Sequence, residues 1–357
     1  MPSTDTSTRE SKRRRLWGPK MSKFTFTWDK GIALFLVLSV TFGTLVADNF
    51  ANTSNLAFVL RDVTEFAIIA LAMTFLIISG EIDLSVASTL NLASASTGFL
   101  FREGVPFEVA IIGGLVVGLA CGLFNGFLVT QLGLPSLAVT IATLALYRGL
   151  CFALLGNQPV NQLPEFWINI GYGKIPGTFL PWSTIVLVAL AAIAWFVLHH
   201  TRFGRWTFAI GVNAEAAKFS GIPVQRTKMT LFAMTGLMSG VAGIVYTLRF
   251  ASASPDGAVG YELSVIAATL FGGVSIAGGV GTIWGVLAAV FVLGVIRSIL
   301  LLTDFSANSL LIVSGALLMI SVITPRVTEI LRDWRESAAK DNTKKPIREV
   351  ENEQPTG

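Results

Sequence analysis

VAIIGGLVVGLACGLFNGFLVT, residues 109–130, decides the fold. It runs 22 residues without a charge, and its only amide is Asn125. At 1.5 Å per residue a helix of this length covers about 33 Å, enough for the hydrocarbon core of a bilayer. Lipid offers the backbone no hydrogen-bond partner, so such a run must be helical. Working outward, comparable runs occupy 31–47, 63–79, 84–101, 136–155, 183–199, 230–248, 264–276, 282–302 and 308–324. The run 264–276 is short and ends on glycines, which reads as a half-helix. The expected fold is all-α: a polytopic membrane helical bundle of about ten transmembrane helices.

Composition agrees. Only 13% of the 357 residues are charged, against about 25% in soluble domains. Mean hydropathy is +0.68. Charge crowds into a basic tail, 1–30, a middle loop, 200–229, and a second tail, 326–357; residues 31–325 form the transmembrane domain. Those three segments hold 20 of the 26 Lys and Arg residues, while Arg61, Arg102, Lys174 and Arg249 are assigned to the opposite side. By the positive-inside rule both tails and the middle loop are cytoplasmic, and the first span is an uncleaved anchor. The net charge of +4 serves topology, and no basic face interleaved with aromatics speaks for nucleic acid. Cys121 and Cys151 fall in apolar runs and read as small core residues. The 156–182 segment is the longest external loop. It is placed to cover a pore mouth or receive a partner, or to serve as a plain surface connection. Beyond Arg326 a short amphipathic stretch precedes a charged tail expected to be disordered.

The middle loop contains a compact helix signal. Asn213 suits an N-cap; Ala214, Glu215, Ala216, Ala217, Lys218 and Phe219 continue it; Gly221 after Ser220 suits a left-handed end, and Pro223 prevents continuation. A helix of two turns is unstable alone. It either docks on a cytoplasmic partner, with Phe219 as anchor, or packs on the protein's own inner face.

Gly-x-Asn-x-x-Ala-Ala-x-x-Ser-Gly-Ile, residues 211–222, resembles the coupling segment of ribose-type, binding-protein-dependent ABC permeases. Further stretches are similar to the same family, in order over roughly 30–325: Gly80–Val86; Gly122–Gly126 with Leu134, Pro135, Ser136, Thr140, Thr143, Arg148 and Gly149; and Gly260–Leu263 with Gly272, Gly273 and Gly278–Gly285. Glu81 and Ala87 stand where that family usually has Gly, which points to a side branch such as the rhamnose or autoinducer-2 permeases. The resemblance implies a non-enzymatic permease subunit for a monosaccharide (pentose, hexose or deoxysugar) in a bacterial inner membrane. It further implies a separate ATP-binding cassette ATPase gripping 213–221, a periplasmic sugar-binding protein, and a second permease copy, identical or related. The chain has no G-x-x-x-x-G-K-[ST] phosphate loop, so no cofactor is expected in it; ATP belongs to the ATPase partner.

Neutral sugars call for uncharged hydrogen-bonding groups along a path. Ser85, Asn91, Asn125, Thr140, Thr143 and Tyr147 supply them within the spans; interhelical hydrogen bonding is the alternative use of the same groups. Asp83 and Glu262 read as helix-start residues. Arg148 and Arg297 are placed to snorkel outward, with Arg297 in reach of Asp304. Ile82–Val86 and Tyr261–Val265 share an acidic-Leu-Ser-Val core on opposite sides, the pattern of an inverted repeat. A self-contained, ion-driven secondary transporter or channel is the rival reading. It needs a buried ionisable residue at mid-membrane, and the sequence offers no evident one. A membrane enzyme is disfavoured, because no carboxylate cluster, metal-ligand spacing or nucleophile-base set appears and His199 and His200 sit at an interface.

Overall fold

A computed structural model describes residues 28–303 and eight helical positions between 309 and 323. Over residues 28–303 the helices are α1 (Trp28–Val46), α2 (Thr53–Ile78), α3 (Val86–Arg102), α4 (Phe107–Thr130), α5 (Ser136–Leu155), α6 (Glu165–Tyr172), α7 (Trp182–His200), α8 (Arg202–Val212), α9 (Ala214–Phe219), α10 (Val224–Phe250), α11 (Tyr261–Phe271) and α12 (Ile283–Leu302). Among the described residues only isolated β-bridges accompany them, Val160 with Ala253 and Lys174 with Pro181.

Six of the helices, α1, α4, α5, α7, α10 and α12, are long and apolar enough to cross a membrane. The expectation of ten spans is thus met only in part. α2 has the length but begins ten residues before the apolar run and takes in Arg61, Asp62 and Glu65. α3 has 17 residues, and α11, the expected half-helix, has 11. The tenth run is helical at its described positions, while the remainder of it, both tails and Asp304 lie outside the described residues.

α2 and α3 form the centre. Residues 62–79 and 85–98 are buried at every position, the mark of helices enclosed by other helices. α2 packs on α10, α12, α7 and α11, and α3 packs on α4, α10 and α5. α1, α4, α5 and α7 turn apolar side chains outward, among them Leu38, Ile112, Ile141 and Ile193. The closest crossing joins α4 to α10. A Cβ on Gly122 would stand 2.3 Å from the Phe232 carbonyl oxygen, and one on Gly236 would stand 2.4 Å from that of Gly118. Glycine there lets two backbones touch, as membrane helices require when lipid supplies no hydrophobic drive.

Two of the non-helical stretches bear on the site. One is 79–85, between α2 and α3, and the other is 251–260, between α10 and α11. The second returns into the bundle. Ala253 pairs with Val160, Asn91 Nδ2 donates to the Pro255 carbonyl at 2.7 Å, and Ala258 N donates to Tyr246 Oη. α11 begins where it ends, with Tyr261 stacked on Phe66 midway along α2, ring centroids 4.1 Å apart. Gly260, at φ +85°, makes the turn into that helix.

Candidate functional site

The short helix of the middle loop forms as its sequence dictates. Asn213 caps α9 by accepting from Ala216 N at 2.9 Å. Gly221, at φ +82°, closes it, its N–H donating to the Lys218 carbonyl while Ile222 N donates to that of Ala217. These paired bonds satisfy carbonyls that a bare helix end leaves orphaned. The helix does not stand free, however. α8 leads directly into it, capped by Thr201, and Ala217 is buried against the chain itself. Ala217 therefore faces inward, while Glu215, Ala216, Ser220 and Phe219 face solvent, Phe219 at 91% exposure. α8 is wedged onto the bundle. A Cβ on Gly211 would come within 1.8 Å of the Ile78 carbonyl oxygen, and Gly279 N donates to that same oxygen at 2.8 Å. The end of α2, the end of α8 and the 272–282 turn thus meet at one point.

The polar residues of the spans fall into two groups. Ser85, Asn125 and Tyr147 form one chain: Asn125 Nδ2 donates to Ser85 Oγ at 2.8 Å, and Asn125 Oδ1 lies 3.1 Å from Tyr147 Oη. Asp83 anchors it, accepting from both the backbone and the hydroxyl of Ser85 at 2.8 and 2.7 Å. Thr140 and Thr143 turn their hydroxyls mainly to carbonyls of their own helix, Ser136 and Thr140, with the Ile82 carbonyl a longer second acceptor for Thr140 at 3.5 Å. Asn91 belongs elsewhere, holding Pro255 of the returning segment, and its Oδ1 has no partner among the described residues. All six side chains are buried within the chain.

Charged residues depart most from expectation. Arg297 bonds Asp62 at 3.0 Å; Asp304, the partner expected for it, lies outside the described residues. Arg249, expected in an external loop, donates to Asp62 and Glu65, both at 2.7 Å. Two carboxylates and two guanidiniums thus neutralise one another inside the bundle. The signal for them was present: Asp62 and Glu65 are three apart, hence on one helix face, and acids at membrane depth require basic partners. Arg148 does not snorkel either. Its Nη2 meets Glu262 Oε1 at 3.1 Å and Oε2 at 3.4 Å. Glu81, the departure from the family glycine, pairs with Lys228 of α10.

At the end of the bundle opposite α9 lies a recess of about 790 Å³. Arg61, Lys174 and Arg249 line it beside Phe58, Tyr172 and Phe250. Among the described residues no group of three or more metal-ligating side chains occurs.

Residues 55–322 match the family described as branched-chain amino acid transport system / permease component. The chain is 36% identical to the L-arabinose ABC transporter permease protein AraH of Azospirillum brasilense, over 82% of this chain and 85% of that protein. It is 35% identical to the L-arabinose transport system permease protein AraH of Escherichia coli K12, over 87% and 94%. It is 37% identical to the ribose import permease protein RbsC of Bacillus subtilis 168, over 83% and 91%. No solved structure matches. Extended similarity at this level, across the whole bundle, makes the chain a multi-pass inner-membrane permease and not an enzyme: it belongs to the ribose-type monosaccharide ABC transporter permease family.

Proposed function

We propose that this chain is the membrane-spanning subunit of a binding-protein-dependent importer that carries a monosaccharide into the cytoplasm. The observation that carries this reading is the match, over more than four-fifths of the chain, to permeases named for L-arabinose and ribose. Pentoses are therefore the first substrates to test. Hexoses and deoxysugars such as rhamnose follow. The chain holds no ATP of its own; an ATP-binding cassette ATPase supplies the energy and grips α9.

The geometry of α9 supports that grip. Ala217 seats the helix on the chain, and Phe219 projects as an apolar anchor for a groove. Force on Phe219 travels through α8 to Gly211, and so to the end of α2 at the core. In this frame the α9 end is cytoplasmic, and the basic recess opens outward. Its cations and aromatic walls suit acidic side chains of a periplasmic sugar-binding protein. A second permease copy completes the path. Ser85, Asn125, Tyr147 and Asn91, with Thr140 and Thr143 beside them, are path residues only where α3, α4 and α5 separate during the cycle.

The ion-driven rival needs a carboxylate free to load and release an ion. The buried Asp62 and Glu65 are each held by arginine, and the buried Asp83 is held by the backbone N–H and hydroxyl of Ser85, which does not fit that need. The test is reconstitution of the chain in liposomes, with and without an ATPase and a binding protein. ATP-dependent uptake of L-arabinose or D-ribose only in the full assembly is expected. Uptake by the chain alone under an ion gradient overturns the reading.

A further inference from the structure

Arg148 lies twelve residues past Ser136 in the twenty-residue α5, about 18 Å from one end and about 10 Å from the other. Glu262 lies nine residues before Phe271, which accepts a hydrogen bond from Trp28 at the α9 end of the bundle. Both side chains therefore stand at the middle depth of the membrane. Yet they are not enclosed: their side chains are 29% and 12% exposed on the single chain. Of the other charged group, Arg249, Asp62 and Glu65 are at most 10% exposed and Arg297 is 20% exposed. Acyl chains cannot solvate an exposed guanidinium and carboxylate at this depth. The surface that bears them must face water or protein.

Three neighbouring features favour water. Only Nη2 of Arg148 is bound to protein among the described residues, leaving Nε and Nη1 for other acceptors. Beside the pair runs the non-helical segment 251–260, the kind of backbone that membrane depth tolerates only when buried or bordering an aqueous cavity. Val259, one residue before the end of that segment, and Leu263, one residue after Glu262, are exposed, so the chain itself does not cover the surface beside the pair. A broken helix at mid-membrane is also where carriers place polar ligands.

We infer that the Arg148–Glu262 pair lies on the aqueous translocation path and exchanges hydrogen bonds with the passing sugar. The guanidinium donates to sugar oxygens, and the carboxylate accepts from hydroxyls, so together they hold a neutral polyol without leaving a net charge. The sugar part of this inference rests on the monosaccharide reading above; the placement on a water path does not.

The experiment has two arms on the intact assembly in native membranes. In the first, Leu263→Cys is treated with a water-soluble, membrane-impermeant maleimide; native Cys121 and Cys151 are buried and give little background. Labelling by that reagent is expected. Labelling only by a lipid-soluble maleimide, or by neither, overturns the placement. In the second arm Arg148→Gln and Glu262→Gln are each expected to lower L-arabinose and D-ribose uptake about tenfold in assemblies of unchanged yield. Arg148→Lys is expected to recover part of it. Unchanged uptake in both Gln variants overturns the sugar contact. Should the wild-type assembly import neither pentose, the labelling arm still decides the placement, and the failure falls on the monosaccharide reading.

Discussion

Two of the ion-paired groups among the described residues, one around Asp62 and one at Arg148, are built differently. Asp62, Glu65, Arg249 and Arg297 join α2, α10 and α12; the first three side chains are at most 10% exposed, and Arg297 reaches the surface at 20%. Arg148 and Glu262 join α5 to the start of α11 and stay open on one side. Each charge placed at bilayer depth costs about 2.5–3.5 kcal/mol on insertion scales, so neither group persists without compensation. The enclosed group finds it in four mutual partners, the open pair in one partner and water. Enclosure separates a charge that holds helices together from a charge that meets what passes.

The largest effect tests the enclosed group. Arg249→Leu leaves two carboxylates with only Arg297 beside them. A loss of about 3–5 kcal/mol is expected, seen as a much lower melting temperature of the detergent-purified protein and reduced yield. Arg249→Lys recovers little, because one ammonium cannot reproduce the forked contact to Asp62 and Glu65. A melting temperature within a degree of wild type in Arg249→Leu would dissolve the contrast.

How far the sequence disclosed all this depends on distance along the chain. Features set by neighbours were legible: the apolar runs, the Asn213 cap and Gly221 end of α9, and α11 as a half-helix. Features set by remote partners were not. Arg249 lies 187 positions from Asp62, and no local period announces that bond. α8 escaped notice because Gly204, Gly211 and two arginines hide a helix whose stability comes from docking on Ile78. The two acidic-Leu-Ser-Val stretches show the limit most clearly. In 82–86 the acid folds back onto Ser85 and becomes the buried foot of the Asn125–Tyr147 chain. In 261–265 it reaches across to Arg148. Five similar residues have opposite surroundings, and only packing tells them apart.

A smaller effect is expected where the buried group is neutral. Asn125→Leu deprives Ser85 and Tyr147 of a partner in a fully enclosed site, a cost of about 1–3 kcal/mol. The thermal shift should fall between those of Arg249→Leu and Glu262→Gln, whose partly exposed pair contributes about 1 kcal/mol or less. If Asn125→Leu also halts uptake while Thr140→Val and Thr143→Val do not, the Ser85–Asn125–Tyr147 chain opens to the path during the cycle. If all three variants transport normally once folded, the six span residues serve helix packing alone.

The smallest effect on stability, within about 0.5 kcal/mol, belongs to Phe219→Ser, because that ring touches almost nothing in the isolated chain. Its effect on uptake should be large, since an exposed phenylalanine on a helix fixed at both ends has an anchor to lose only if a partner receives it. The variant carries the contrast between holding and meeting outside the membrane. Ala217→Trp, by comparison, disturbs the seat of α9 on its own chain and cannot distinguish a lost partner from a displaced helix. Phe219→Ser with normal melting, normal ATP hydrolysis and no uptake places the ATPase on this face of α9. Normal uptake by the same variant removes α9 as the grip.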